Sequence, residues 1–174
     1  MNTLPTSSIS IRPATPQDTE AIWEIFRAVI ATGDAFVFDP NMPREEALAW
    51  WFAPQNQVYV AEHDGRIAGS YIIKPNQPAL GAHIANAAYM VTPAARGLGI
   101  GKLMGEHSLA EAHRAGFRAM QFNIVVSTNQ PAVRLWQSLG FKILGTIPGA
   151  FRHSQLGYVD AHIMFRSLEE SPTK

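Results

Sequence analysis

Cysteine is absent from the 174-residue chain, which removes disulfides, thiolate metal sites and a cysteine acyl-enzyme from consideration. Surplus charge is absent as well, because 14 Lys and Arg balance 14 Asp and Glu. The electrostatic footprint of nucleic-acid binding is therefore missing. No apolar stretch is long enough to span a bilayer. The sequence predicts a small-molecule partner, with neither nucleic acid nor a membrane.

The remaining composition fits one ordinary globular domain. Hydrophobic residues make up 47% of the chain and charged residues 16%, and a chain of this length buries a core without disulfides or a structural metal. The first ten residues lack the basic start and apolar stretch of a secretory signal, so the cytoplasm is the expected compartment. We expect a single domain over residues 1–174, with a core at about 9–168 and a short flexible C-terminal tail.

Hydrophobic periodicity predicts an alternating order of strands and helices. Strands are predicted over residues 9–12, 58–61, 67–73, 84–91, 120–126, 141–144 and 159–165. Helices are predicted from Pro16 to near Gly33 and over residues 44–52, 96–116 and 129–139. Asp64-Gly65 marks a hairpin between two of the strands. This order favours an α/β fold with one mixed sheet that helices cover on both faces.

A glycine-rich turn links the strand at 84–91 to the helix that follows it. The segment Arg96-Gly97-Leu98-Gly99-Ile100-Gly101 lets backbone N–H groups approach a ligand, and the new helix adds unpaired donors and the positive end of its dipole. Such a turn suits phosphate oxygens. Lys102 replaces the third glycine of a dinucleotide fingerprint, and Leu103 replaces the hydroxyl residue of a Walker loop, so both nucleotide motifs fail.

The pattern that does fit, Arg-x-x-Gly-x-Gly after a strand, resembles the acetyl-CoA pyrophosphate loop of the GNAT acetyltransferase superfamily. A second GNAT-like signature follows about 30 residues later. It runs Asn129-Gln130-Pro131-Ala132-Val133-Arg134-Leu135-Trp136-Gln137-Ser138-Leu139-Gly140-Phe141. The resemblance covers roughly residues 9–165. It implies a central, mostly antiparallel sheet of about seven strands, splayed at strands 4 and 5, and an enzyme that takes acetyl-CoA as cosubstrate without a metal.

The resemblance also implies how acetyl-CoA is held. The pantetheine arm would lie in the gap between strands 4 and 5, where backbone groups of Met90 and Val91 bind it and polarise the thioester carbonyl. Residues 96–101 would hold the pyrophosphate. Asn129 and Trp136 would lie at the cofactor.

Direct transfer to an amine needs a proton donor for the departing thiolate and a neutral nucleophile. Many GNAT relatives carry a tyrosine in the last helix as general acid, but Trp136 occupies that position here. Tyr89, Tyr158 or a bound water could replace it, and we take Tyr89 as the candidate. The strand at 84–91 offers no acidic base. His83 is available, although a solvent-facing histidine at a strand end is the favoured interpretation.

Two asparagines in strands indicate the acceptor. Asn86 and Asn123 interrupt apolar strands, where asparagine is disfavoured and a buried amide needs partners. In one interpretation, each amide forms hydrogen bonds with backbone groups left unpaired by a distorted strand. In the other, both amides face the cleft and donate N–H groups to an acceptor carboxylate. The second interpretation agrees with a narrower resemblance, to fungal N-acetyltransferases that detoxify azetidine-2-carboxylate, carried by residues 122–129, 139–141 and 145–150 and by Trp136. That resemblance implies that Asn86 and Asn123 grip the carboxylate.

Strict strand alternation points Asn86 and Tyr89 to opposite faces. We therefore predict a β-bulge between Ala87 and Tyr89, without which Tyr89 leaves the site. Two other functions stay open: acetylation of a peptide or protein amino terminus, and a non-catalytic CoA-binding module. His107 and His113 are six apart, which is wrong for a pair of metal ligands on one helix face. Residues 151–158 are interpreted as either a substrate loop or a contact in a homodimer.

Overall fold

The computed structural model describes residues 8–169, so the end of the predicted C-terminal tail lies outside the described residues. The elements follow the order predicted from periodicity. Their bounds are β1 Ile9–Pro13, α1 Thr19–Ile30, α2 Arg44–Trp51, β2 Gln57–His63, β3 Arg66–Pro75, β4 Ile84–Val91, α3 Ile100–Arg114, β5 Ala119–Val126, α4 Gln130–Ser138, β6 Lys142–His153 and β7 Gly157–Ser167. No helix in the described part is both long and apolar enough to cross a membrane.

One seven-stranded sheet has the order β1-β2-β3-β4-β5-β7-β6. Every neighbouring pair is antiparallel except β4 and β5. The parallel contact is short, because only Ile84 with Ala119 and Ala85 with Met120 are paired. Beyond these residues the two strands diverge. The predicted mixed α/β fold, splayed at strands 4 and 5, is confirmed.

Two cores separate the helices onto opposite faces of the sheet. One core joins α1 and α2 to the sheet and contains the buried Trp51, whose Nε1 donates to Ser70 Oγ at 3.0 Å. The other joins α3 and α4 to the sheet. Strand β4 alternates regularly between them, because Ala87 and Tyr89 belong to the α3 side while Ala88 and Met90 belong to the α1 side.

The C-terminal hairpin differs most from the prediction. Strand β6 has 12 residues, although residues 141–144 were the predicted extent. Its register to β7 shifts between Ile143 and Gly145 and again between Ile147 and Phe151, which breaks the alternation that a sequence pattern needs. The turn after β6 packs on the α1–α2 connection, where Ser154 N–H donates to Gly33 O at 2.9 Å.

The helix predicted from Pro16 begins as a 3₁₀ turn, Pro16–Asp18, which leads into α1 and is built around a buried carboxylate. Asp18 accepts from the Thr15 N–H at 2.7 Å, and both guanidinium Nη atoms of Arg12 donate to it at 2.8 and 2.9 Å. Arg12 also bonds Glu62 on the neighbouring strand. These donors, led by the Arg12 guanidinium, hold the pKa of Asp18 well below its usual range. The network ties β1, β2 and the start of α1 together.

Asp18→Asn should lower the free energy of unfolding by about 2 kcal/mol at neutral pH, since hydrogen bonds to a charged group are lost. Because the folded pKa of Asp18 is depressed, its contribution is present above the unfolded pKa of about 3.9 and is lost as the pH falls towards the folded pKa. Urea denaturation between neutral pH and pH 3 measures both effects. Glu24→Gln, which breaks an exposed pair with Arg27, is the control and should change little. An equal loss in the two variants would contradict the assignment.

Candidate active site

The divergence of β4 and β5 opens a cavity of about 380 Å³ in the middle of the sheet. Both strands line it, and α4 closes one end through Asn129 and Trp136. The α1–α2 connection covers the other side with Ala35, Phe36 and Val37. Residues from both faces of β4 reach the cavity because it is a gap between strands.

The backbone of β4 presents unpaired groups to this gap. Thr92 N–H donates to Ala68 O, and Asn76 N–H donates to Ile84 O. In an antiparallel pair, every second residue forms backbone hydrogen bonds with the partner strand. These two bonds show that the even-numbered residues of β4 are the ones bonded to β3. Met90 therefore bonds β3, whereas the N–H and C=O groups of Tyr89 and Val91 face the gap. The backbone role predicted for Met90 and Val91 stays a prediction, and of the two it is Val91 whose N–H and C=O groups face the gap.

A second groove, of about 750 Å³, lies where the glycine-rich turn enters α3. Gly97 and Gly99 adopt φ values of 82° and 80°, a region that glycine enters without steric cost. A Cβ at either position would meet no atom within 4 Å, so the turn is open towards the groove. The groove is lined by Arg96, Gly97, Gly99, Ile100, Gly101 and Lys102 together with Val91 and Asn129, but not by Leu98, whose side chain is partly exposed.

The first turn of α3 explains what this groove can bind. The helix begins at Ile100 with Gly99 as its N-cap, and no side chain caps it. The first N–H groups of a helix have no intrahelical acceptor, and the helix dipole adds partial positive charge there. Arg96 and Lys102 bring two positive charges to the same groove, against one negative charge from Asp34. The residues present therefore fit a diphosphate.

Asn129 joins the two spaces, because it lines both the cavity and the groove. It is the N-cap of α4, and its Oδ1 accepts from the Ala132 N–H at 3.3 Å. A ligand that extends from the glycine turn into the cavity must therefore pass this side chain.

Asn86 and Asn123 meet at a third asparagine inside the cavity. The Nδ2 of Asn86 donates to Asn76 Oδ1 at 3.0 Å, and the Nδ2 of Asn123 donates to the same oxygen at 2.8 Å. Gln121 in turn donates to Asn123 Oδ1 at 3.0 Å. The strands that carry Asn86 and Asn123 are no longer paired at this depth, so Asn76 bridges the gap between them. Sequence reasoning missed Asn76, because it lies in a connector rich in proline and glycine.

The predicted β-bulge in β4 is wrong. Residues 85–91 pair with β3 in an unbroken register. The irregularity lies in β5 instead, where the register to β7 shifts between Phe122 and Val125. This shift exposes Asn123 and Ile124 together at the cavity.

Tyr89 lines the cavity with its ring, but its hydroxyl lies on the α3 side of the sheet. The hydroxyl is 2.7 Å from Ser108 Oγ and 3.5 Å from Met120 Sδ. Burial raises the pKa of Tyr89, so the phenol stays protonated. The ring packs against Trp136 with centroids 4.7 Å apart.

Trp136 forms an aromatic wall at the end of the cavity. Its ring is 4.8 Å from Phe122, which stacks on Phe141 at 4.5 Å. Helix α3 approaches this wall closely, since a Cβ at Gly105 would lie 2.5 Å from Leu139 Cδ1. The wall is closely packed and apolar.

The histidines considered from the sequence lie elsewhere. His107 Nδ1 is 2.6 Å from the Tyr71 hydroxyl beneath α3, and burial lowers the pKa of His107. His83 is exposed at the start of β4, where its carbonyl accepts from Arg118 N–H. Neither side chain lines the cavity.

Comparison with known proteins agrees with this geometry. The sequence model of the Acetyltransferase (GNAT) family matches residues 20–141. N-acetyltransferase aca1 of Schizosaccharomyces pombe is 34% identical over 162 residues, covering 82% of this chain and 78% of its own length. The L-methionine sulfoximine/L-methionine sulfone acetyltransferase of Salmonella typhimurium is 30% identical, covering 80% of this chain and 84% of its own.

Two solved structures match over nearly the whole chain. A GCN5-related N-acetyltransferase from Kribbella flavida superposes with a TM-score of 0.87 at 44% identity, covering 91% of this chain and 97% of that one. The acetyltransferase yncA from Salmonella typhimurium, solved with its cofactor acetyl-CoA, superposes with a TM-score of 0.83 at 27% identity. The match covers 97% of this chain and 98% of that one. With its splayed sheet and its glycine turn, this chain belongs to the GNAT acetyltransferase family and is an N-acetyltransferase.

Proposed function

We propose that this enzyme transfers the acetyl group of acetyl-CoA directly to the amine of a small acceptor that carries a carboxylate. An amino acid or a proline analogue such as azetidine-2-carboxylate is the acceptor class. The observation that carries the proposal is the convergence of Asn86 and Asn123 on Asn76 inside the cavity. Amide N–H groups bind a carboxylate without adding a charge.

The amide cluster has donors to spare for such a ligand. Each side-chain amide carries two N–H groups, whereas the bonds between the three asparagines use one N–H of Asn86 and one of Asn123. Hydrogen bonds from neutral donors to an ionised acceptor are shorter and stronger than those between neutral groups. An acceptor carboxylate therefore has good partners at this point of the cavity.

The dimensions of the cavity support a small acceptor. A volume of about 380 Å³ is at the lower end of pockets that enclose small molecules. The α1–α2 connection lines one side through Phe36 and Val37, which narrows the space available to a longer peptide. The Salmonella typhimurium relative that acts on methionine sulfoximine supports the same acceptor class.

In this proposal acetyl-CoA supplies the activated acyl group, and the chain supplies its position. Residues 96–101 and Lys102 bind the diphosphate. Asn129 contacts the cofactor where the groove meets the cavity. The Val91 N–H faces the gap and can donate to the acyl carbonyl oxygen, which stabilises the charge that develops there. The asparagines then orient the acceptor so that its neutral amine faces the acyl carbon.

The test is a panel of amines incubated with acetyl-CoA, read out as free thiol release and as the N-acetyl product by mass spectrometry. We expect azetidine-2-carboxylate, proline or another small amino acid to be acetylated. Peptides with free amino termini are expected to react slowly or not at all. Acetylation of peptides in preference to every small amino acid would favour the peptide alternative and overturn the proposal.

Tyr89→Phe tests the predicted proton donor. A general acid contributes about 10²–10⁴-fold to the rate, but the Tyr89 hydroxyl bonds Ser108 and its raised pKa moves it away from that of a thiol. We therefore expect kcat to fall by less than about tenfold, with water as the proton donor. Steady-state kinetics at saturating acceptor measure this, and thermal unfolding controls for lost stability. A loss of about 100-fold or more in kcat at intact stability would establish Tyr89 as the acid.

A further inference from the structure

The acceptor cavity contains an isolated positive charge. Among the described residues that line it, Lys74 alone is charged, and the others are apolar, aromatic or amide side chains. Lys74 therefore contributes the one full charge of the described lining. An acidic acceptor would be attracted and a second cation repelled.

The position of Lys74 links it to the amide cluster. It lies near the end of β3, directly opposite Asn86 in the β3–β4 register. Asn76 follows two residues later. Because directly opposite residues of neighbouring strands share a face, Lys74 stands on the same side of the sheet as Asn86. Asn76 reaches that side through its hydrogen bond with Asn86. Lys74 and the three asparagines thus line the same cavity.

The ammonium of Lys74 is held in place without an anionic partner. Its Nζ lies 4.8 Å from the centroid of the Trp50 ring, a distance typical of a cation–π contact. Within residues 8–169 no carboxylate lies within 4.0 Å of it. Lys74 is half-buried, so part of its hydration is already lost. A half-buried cation with an aromatic support and no counter-ion suits a ligand that brings the negative charge.

We propose that Lys74 is the charge-recognising residue of the acceptor site, pairing with the acid group of the acceptor that the asparagines orient. This inference rests on the proposed function and adds to it the residue that selects acceptors by charge. The site binds acceptors that carry an ionised acid group, such as a carboxylate or a phosphinate. Polyamines and other amines without an acid group are rejected, because they would place a second cation beside an unpaired ammonium.

The test compares two acceptors of nearly the same shape, azetidine-2-carboxylate and azetidine-2-carboxamide, of which only the first carries a negative charge. If the wild type uses other small amino acids better, the best one and its amide replace this pair. Lys74→Met keeps the apolar stem and removes the charge. We expect it to lower kcat/KM for the carboxylate by ~10–100-fold, the range for a hydrogen bond to a charged group, and to change that for the carboxamide far less. Lys74→Arg keeps the positive charge and should retain most of the preference for the carboxylate over the carboxamide.

Lys142→Met is the matched control, because it removes an exposed lysine from β6. Its preference for the carboxylate over the carboxamide should equal that of the wild type. If Lys74→Met lowers both acceptors equally, Lys74 has only a structural role and the inference is wrong. If Lys74→Met does not fold, Lys74→Gln is read out in the same way. If the wild type prefers the carboxylate and Lys74→Met and Lys74→Gln keep that preference, the Lys74 inference is wrong but the proposed function stands. A wild type that acetylates no acid-bearing amine overturns the proposed function itself.

Discussion

Asn123→Ala is expected to lower kcat/KM for a carboxylate acceptor on the order of 10–100-fold, the range for losing a hydrogen bond to a charged group. The variant removes a donor at the cavity and also one of the two N–H groups that fix Asn76. The carboxylate is remote from the reacting atoms. The loss should therefore fall mainly on KM of the acceptor, with KM for acetyl-CoA unchanged.

Initial rates of thiol release, with one substrate varied at a time, separate these constants. Gln137→Ala is the control, because it removes an exposed amide from α4, outside the cavity. Asn86→Ala should resemble Asn123→Ala, since both amides bond the same oxygen of Asn76. Unchanged acceptor kinetics in Asn123→Ala would defeat the assignment of the asparagines to the carboxylate.

Gly99→Val is expected to weaken acetyl-CoA binding on the order of 100-fold. Gly99 is the N-cap of α3 with φ of 80°, where a β-branched residue is strained. The space around its Cβ is open, so a clash does not cause the effect. The turn relieves the strain by changing φ, which directs the N–H groups of the turn away from the diphosphate.

Gly116→Val is a matched control for this variant. Gly116 follows the other end of α3 with φ of 88°, and its Cβ would also meet no atom within 4 Å. The two substitutions therefore bring similar strain, and thermal unfolding should show similar losses of stability. Calorimetric titration with acetyl-CoA should show weakened binding for Gly99→Val only. Equal affinities in the two variants would contradict the role of the turn.

Much of the fold was predictable, because local patterns determine it. The glycine turn, the hairpin at Asp64-Gly65 and the apolar faces of the helices are each read from a few neighbouring residues. The two GNAT motifs then gave the splayed sheet. The full length of β6 was not predictable, since its irregular register and exposed residues leave no period-2 pattern.

The candidate site was predictable only in part. Asn86 and Asn123 stand out because asparagine is unusual within strands. Asn76 lies in a connector where asparagine is common, so nothing local distinguishes it. Lys74 was missed for a similar reason: its contact with Trp50 joins residues that are distant in sequence, and only the fold brings them together.

The position of the bulge shows the limit of reasoning from one strand. We placed it in β4 on the assumption that the site lies on one face of the sheet. The site is instead a gap between strands, and residues from both faces of a regular β4 line it. The irregularity in β5 depends on its pairing with β7, which the residues of β5 alone do not encode.

The most direct test of the account is the ratio of kcat/KM for a small cyclic amino acid to kcat/KM for its carboxamide in the wild-type enzyme, measured as thiol release from acetyl-CoA. A cavity that binds an acid group through three asparagines and one lysine predicts a ratio of at least about ten in favour of the amino acid. Equal rates for the two acceptors, or faster acetylation of the carboxamide, would contradict it.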